Sequence, residues 1–127
     1  MKQLLLNDTY PVNVRTIDKQ TCDYKDVDAL IGRLKENIDR HPVATYIGEF
    51  DHTAHTRTLE DHRIGDGIQE AKIVIFCFGK ELPKAEMAAV RPRSIAVVEC
   101  VNEFVVSFMD APNPNANDTM IEWVKAL

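Results

Sequence analysis

Residues Ile73–Phe78 form an unbroken apolar run that is mostly β-branched or aromatic, and this run constrains the fold more than any other segment. Consecutive side chains of a strand point to opposite faces of its sheet, so a strand of this composition is apolar on both faces. The sequence therefore predicts a central strand in a sheet that needs cover on both sides. The run is far shorter than the ~20 residues that a membrane-spanning helix requires.

Three segments are predicted as helices. The apolar residues that share one face of the first helix are Val27, Leu30, Ile31, Leu34 and Ile38. This spacing is typical of an amphipathic helix, for which Asp23 is the expected N-cap. Lys84–Val90 is predicted as a short helix, and a C-terminal helix is expected to begin at a cap formed by Asp118 or Thr119. One or two further helical turns are expected between Ile64 and Ala71.

Five strands are predicted, and a short apolar segment at Leu4–Leu6 is expected to pair ahead of them. The five strands are Tyr10–Asp18, Val43–Phe50, Ile73–Phe78, Ser94–Val101 and Phe104–Met109. Only Asn102 and Glu103 separate the last two strands, which favours a tight antiparallel hairpin. This order of elements predicts a single α+β domain over residues 1–127. Its expected architecture has two layers, with a mixed, mostly antiparallel sheet and helices on one face.

The second face of this predicted sheet has no cover within the chain, because two long helices account for one face only. The hairpin nevertheless carries apolar side chains on both faces, with Phe104 and Val106 on one and Val105 and Met109 on the other. We therefore predict a homodimer, in which a second subunit covers the second face.

Charge and cysteine content bear on partners and on the compartment. The chain has 15 basic and 20 acidic residues, and its pI is near 5.3. Such a protein is a poor general binder of nucleic acid or of anionic membranes, so we expect neither as a partner. Cys22, Cys77 and Cys100 are an odd number without a CxxC pair, which suits unpaired thiols in a reducing cytoplasm. Because Phe76 and Phe78 flank Cys77 and no cationic residue is adjacent to it in sequence, we interpret this residue as an inert core thiol.

A histidine segment, defined here as residues 49–70, carries three imidazoles together with six acidic and two basic residues. Imidazole and carboxylate groups are ligands that suit a divalent transition metal such as zinc, iron or nickel. The candidate metal ligands are His52, His55, His62 and Asp51. The alternative is a solvated polar loop, because a His pair three residues apart is a weak motif by itself.

Arg91 and Arg93 flank Pro92 directly before a predicted strand. A guanidinium group donates two parallel hydrogen bonds to a carboxylate or a phosphate, so this pair is a candidate site for a small anionic ligand. Residues 72–93 carry five basic and two acidic side chains, which makes the segment basic within an acidic chain. The alternative is a surface loop that pairs with the histidine segment of the same subunit or of the partner subunit.

Glu99 is a possible buried acid, because it shares a face of the predicted hairpin with Val97 and Val101. A carboxylate among apolar side chains must be paired, bound to a ligand or located at a strand end. A buried carboxyl group of this kind can serve as a general acid or base. The Pro/Asn-rich segment 112–117 is explained sufficiently by turn and capping chemistry.

Several motifs carry a family resemblance. In chain order they are Phe50-Asp51-His52, Ile73–Gly79, Val90–Ile95, Val97–Glu99 and Phe104–Pro112. Through these motifs the chain resembles a small bacterial family, domain-of-unknown-function family 6858, over nearly its full length. It is more remotely similar to family 302, in which an Asp-Pro pair follows the hairpin, whereas here Ala111 separates Asp110 from Pro112. The remoter resemblance implies an α+β fold and a dimer, and neither resemblance implies an activity.

Three functions stay open at this point. We favour a cytosolic dimeric binding module that holds a divalent metal or a small anionic ligand near the histidine segment. The alternatives are a metal-dependent enzyme that uses the same segment and a dimeric interaction protein without a ligand. No glycine-rich nucleotide motif and no catalytic triad with a recognisable spacing is present, so an enzyme is the less favoured reading.

Overall fold

The computed structural model covers residues 1–127 and arranges all six strands in one sheet. The elements are β1 (Lys2–Leu6), β2 (Tyr10–Asp18), α1 (Val27–Arg40), β3 (Thr45–Asp51), α2 (His52–Arg57), β4 (Glu70–Cys77), a 3-10 helix (Ala85–Val90), β5 (Arg93–Glu99), β6 (Glu103–Met109) and α3 (Pro114–Lys125). The strand order is β1-β2-β6-β5-β4-β3, and every neighbouring pair is antiparallel. The predicted α+β class is confirmed, and the sheet contains no parallel pair.

Helix α1 forms where the apolar spacing predicts it. Its five apolar residues are all buried, and they face the sheet. The N-cap is Asp26 and not Asp23: the Asp26 carboxylate accepts a hydrogen bond of 2.8 Å from the backbone N–H of Ala29. The helix ends at His41, whose Nδ1 accepts the backbone N–H groups of Val43 and Ala44. None of the helices combines the length and the apolar character that crossing a bilayer would require.

The core lies between one face of the sheet and the helices α1 and α3. Its 15 side chains are Ile17, Val27, Leu30, Ile31, Leu34, Ile38, Val74, Phe76, Ile95, Val97, Phe104, Val106, Phe108, Met120 and Val124. Alternation along β4, β5 and β6 sends every second residue of these strands into this core. In β4, for example, Val74 and Phe76 are fully buried, whereas Ile73 and Ile75 point to the other face and are half-buried.

The second face of the sheet is covered at one end only. Helix α2 packs against β4 there, where the Thr53 hydroxyl accepts the backbone N–H of Ala71 at 3.2 Å. Beyond that end, Ile73, Ile75 and Val105 remain half-buried. Within the chain, the apolar run is therefore fully covered on its core face and only partly covered on its second face.

Two other helix predictions also differ from the structure. The turns expected between Ile64 and Ala71 are wrong: the helix forms earlier, as α2, because the Asp51 carboxylate caps it, and β4 begins at Glu70. The cap expected at Asp118 or Thr119 is also wrong. Asn113 caps α3, its side-chain oxygen accepting two backbone N–H groups, and Pro114 occupies the first turn, where it loses no hydrogen bond.

Candidate anion-binding site

A cavity of about 300 Å³ lies between the segment that precedes β5 and the start of α3. Its lining residues are Phe78, Lys80, Glu81, Pro83, Met87, Val90, Arg91, Arg93, Ala111, Pro112, Asn113 and Ala116. Both predicted anion-binding arginines are therefore in its wall. The antiparallel pairing of β4 with β5 places Phe76 opposite Arg93, which brings Phe78 and Lys80 next to the arginines.

Arg93 holds the end of β6 in place. As the first residue of β5, it shares the core-facing side of the strand with Ile95 but lies at the strand end. Its Nη2 donates hydrogen bonds to the carbonyl oxygens of Met109 and Asp110, the latter at 3.1 Å. The guanidinium thus connects β5 to the loop that precedes α3.

The Arg93 charge is partly buried and has no salt-bridge partner in the chain. Burial lowers the pKa of the guanidinium, and the negative charge of Asp110 opposes that effect. The group remains protonated at neutral pH, as arginine does throughout proteins. Its Nε is buried without any acceptor, the only such side-chain atom in the structure. A buried donor without a partner costs free energy, about 1–3 kcal/mol.

Arg91 connects the segment around Glu81, a second part of the cavity wall, to the residues directly before β5. Its Nη1 donates a hydrogen bond to the backbone carbonyl of Glu81. Arg91 forms no salt bridge either, so neither arginine pairs with the acidic residues of the histidine segment within the subunit. The one ion pair between the two charged segments joins Lys72 Nζ to the Glu70 carboxylate at 3.4 Å; the same Nζ lies 2.6 Å from Asp28, which belongs to neither segment.

The cavity wall has an excess of positive charge. Lys80, Arg91 and Arg93 face a single lining carboxylate, that of Glu81. The first turn of α3 also borders the cavity through Asn113 and Ala116, and the N-terminal end of a helix carries a partial positive charge. The Asn113 side chain already accepts the N–H groups of that turn, so the helix contributes its electrostatic field rather than free donors.

The histidine segment lies at the opposite end of the sheet. Glu70 pairs with Glu99 at that end of the β4–β5 ladder, whereas Phe76 pairs with Arg93 at the cavity end. His52 lines a separate cavity of about 260 Å³ together with Thr53, Ile64 and Val98. The anion-binding arginines and the histidines therefore do not share a site within one subunit.

The four predicted metal ligands each have a different local role. Asp51 caps α2, His52 Nδ1 lies 3.0 Å from the Thr56 hydroxyl, His62 Nδ1 lies 3.0 Å from the Leu59 carbonyl, and the His55 ring packs against Phe50. All three histidines are exposed. No group of three or more His, Cys, Asp or Glu side chains is placed to hold a metal ion. The geometry of these residues does not fit a metal centre.

Glu99 is paired rather than isolated. Its carboxylate accepts a hydrogen bond of 2.7 Å from Lys19 Nζ, and the Glu99 side chain is 19% exposed. Glu99 is the last residue of β5, so it has both a charged partner and a position at a strand end.

Cys77 is only half-buried, and its Sγ accepts the backbone N–H of Gly79 at 3.3 Å. The interpretation of Cys77 as a core residue is therefore wrong, because its side chain lies on the less covered face of β4.

Several lining residues were not anticipated from the sequence. Phe78 directly follows β4, whereas Met87 and Val90 lie in the 3-10 helix before β5, and no motif links them. Asn113 and Ala116 belong to the Pro/Asn-rich segment, whose composition is explained by capping and whose place in the cavity wall is a consequence of the fold.

Comparison with known proteins gives one match. No curated protein and no solved structure matches the chain. The similarity to family 302 stays a prediction. The model of DUF6858, a family of unknown function, matches residues 1–127. Because the match spans the whole sequence, it confirms the resemblance carried by the motifs, and the chain belongs to the DUF6858 family.

Proposed function

We propose that this protein is a binding module for a small anion, held in the cavity beside Arg91 and Arg93. One observation carries the proposal: two guanidinium groups that form no salt bridge line the same cavity. An anionic oxygen would neutralise a charge that burial otherwise disfavours.

The proposed site differs in position from the one expected near the histidine segment. The cavity beside the arginines has an excess of cations in its wall. Arg63 is the one charged side chain that lines the cavity beside His52. This comparison favours the arginine cavity for an anion and makes Arg63 a matched control.

The test is isothermal titration calorimetry of the full chain with acetate, hexanoate and inorganic phosphate in a chloride buffer. We expect at least one anion to bind the wild type and the Arg63→Ala variant with equal affinity. The Arg91→Ala variant should bind the same anion at least about tenfold more weakly, since a lost charge-assisted hydrogen bond is worth about 1.5–3 kcal/mol. The absence of binding by all three anions, or wild-type affinity in Arg91→Ala, would overturn the proposal.

We also propose that the protein is a homodimer in which two sheets pack through their second faces. The supporting observation is a set of apolar side chains on that face that the chain leaves half-buried, namely Val12, Ile73, Ile75, Val98 and Val105. Apolar sheet faces of this kind pack against each other at about 10 Å. Static light scattering should give twice the chain mass of 14.4 kDa.

Substitutions separate this dimer from nonspecific association. Val105→Glu places a charge in the middle of the face and should give a monomer, because an unpaired charge cannot be buried in an apolar interface. Val101→Glu is the control, since Val101 is 58% exposed in the hairpin turn. A monomeric wild type, or a Val105→Glu variant that stays dimeric, would refute the dimer.

The cytoplasm is the compartment that we propose for the protein. All three cysteines are unpaired in the structure, and such thiols persist in a reducing environment. Localisation of a fluorescent fusion tests this, and an extracytoplasmic signal would contradict it.

A further inference from the structure

We infer that the ligand of the arginine cavity is a monocarboxylate with an apolar body, which specifies the substrate class of the binding function proposed above and rests on it. The first reason is the division of the cavity wall. Positive charge comes from Arg91, Arg93 and Lys80, whereas Phe78, Met87 and Val90 present apolar surface to the same space. A ligand that fills this cavity therefore needs one charged group and one apolar part.

The charge balance of the wall favours a monoanion over a phosphate dianion. Glu81 contributes a carboxylate to the lining, and the negative charge of Asp110 lies close enough to Arg93 to raise the pKa of its guanidinium. Part of the donor capacity is also used: Arg93 Nη2 binds two carbonyl oxygens and Arg91 Nη1 binds one. Three lining cations against the carboxylates of Glu81 and Asp110 leave one net positive charge, which matches a carboxylate better than the double charge of a phosphate.

The size of the cavity gives the second limit. At about 300 Å³ it is at the small end of ligand cavities, which favours a small ligand. A bare inorganic anion would occupy the charged part alone and leave the apolar wall in contact with water. Only a ligand with its own apolar surface removes that wall from water, which contributes about 25 cal/mol per Å².

Phe78 makes the apolar part of the wall rigid. Its ring stacks on Trp123 at a centroid distance of 5.5 Å and meets the edge of His41 at 5.3 Å. These contacts hold the ring in one orientation before a ligand arrives, so little entropy is lost when an apolar body packs on it.

The experiment compares ligands that carry one or both of the required groups. The probes are acetate, inorganic phosphate, 1-hexanol, hexanoate and 3-phenylpropionate, titrated into the full chain by calorimetry. We expect hexanoate and 3-phenylpropionate to bind at least about tenfold more tightly than the other three probes. The Met87→Gln variant should lose about tenfold in hexanoate affinity, while Leu82→Gln keeps it, because Leu82 is 61% exposed and outside the cavity wall.

The outcomes separate the two proposals. If acetate or phosphate binds as tightly as hexanoate and Arg91→Ala abolishes that binding, the anion-binding function stands and the monocarboxylate is refuted. If no probe binds, both are refuted. If 1-hexanol binds as tightly as hexanoate and Arg91→Ala changes neither, the cavity recognises apolar groups alone, and both proposals are again refuted.

Discussion

Replacement of Arg93 by methionine tests the most consequential contact of the site. Methionine keeps an unbranched stem of similar length and removes the guanidinium. The substitution breaks the two hydrogen bonds from Nη2 to the carbonyl oxygens of Met109 and Asp110. The end of β6 and the loop before α3 would then be held by their remaining contacts, such as the bond from the Asp110 N–H to the Pro11 carbonyl.

The magnitude follows from opposing contributions. Each hydrogen bond from a charged donor contributes about 1.5–3 kcal/mol, so two bonds are worth about 3–6 kcal/mol. The variant also loses the unsatisfied Nε, which relieves about 1–3 kcal/mol, and it no longer buries a charge without a salt bridge. We expect the free energy of unfolding to fall by a net amount of about 1–3 kcal/mol.

Urea denaturation followed by tryptophan fluorescence measures this change. Trp123 is the single tryptophan of the chain, and it packs against Phe76 and Phe78, so its emission reports on the core beside the cavity. The midpoint should fall while the slope of the transition stays constant. The buffer must contain no carboxylate, because a bound anion would add its own stabilisation.

Arg33→Met is the control for loss of an arginine. Arg33 forms an exposed pair with Glu36 one turn away on α1, and such pairs contribute less than about 1 kcal/mol. Suppose that Arg93→Met is as stable as the wild type while Arg33→Met loses less than about 1 kcal/mol. The free energy that the hydrogen bonds of Arg93 contribute then does not exceed the free energy that burial of its charge costs. The structural role assigned to Arg93 would then be refuted.

Three further predictions concern the rest of the molecule. Arg15 Nη1 caps the end of α3 by donating hydrogen bonds to the carbonyl oxygens of Val124, Lys125 and Leu127. Arg15→Met should therefore lower the free energy of unfolding by about 1–3 kcal/mol in the urea assay. An unchanged free energy of unfolding would contradict this capping role. The hydrogen bond to Asp28 raises the pKa of Lys72 above its ordinary value of 10.5, an effect that burial opposes and the charges of Asp28 and Glu70 reinforce. Because the pKa of Lys72 is higher in the folded state, the charged Lys72 stabilises the fold fully below its ordinary pKa, and this stabilisation is lost as the pH rises through the raised pKa. The wild type should therefore lose more stability above about pH 10.5 than Lys72→Met. Equal pH profiles of the two proteins would refute this linkage. Because the residues of the histidine segment do not converge on one point, we expect protein purified without a His tag to contain less than about a tenth of an equivalent of transition metal and EDTA to leave its melting temperature unchanged; a stoichiometric metal would contradict this.

Local patterns predicted much of the secondary structure, because they depend on spacing along the chain. The burial of Val27, Leu30 and Leu34 in α1 follows from helical periodicity, and the β5–β6 hairpin follows from the short distance between two apolar segments. The caps were harder to predict, since Asp23 and Asp26 have the same chemistry. The choice between such neighbours depends on the residue at which the helix begins, which is Val27.

The sequence by itself determined the α+β class, the family and the two arginines as candidate anion ligands. Only the tertiary structure decided what surrounds them: Phe78, Met87 and Asn113 come from distant segments, and the pairing of β4 with β5 and the position of α3 bring them to one cavity. The histidines, by contrast, are close in sequence but have separate local partners. Closeness along the chain limits how far apart side chains can be, whereas their convergence depends on the directions that the folded backbone gives them.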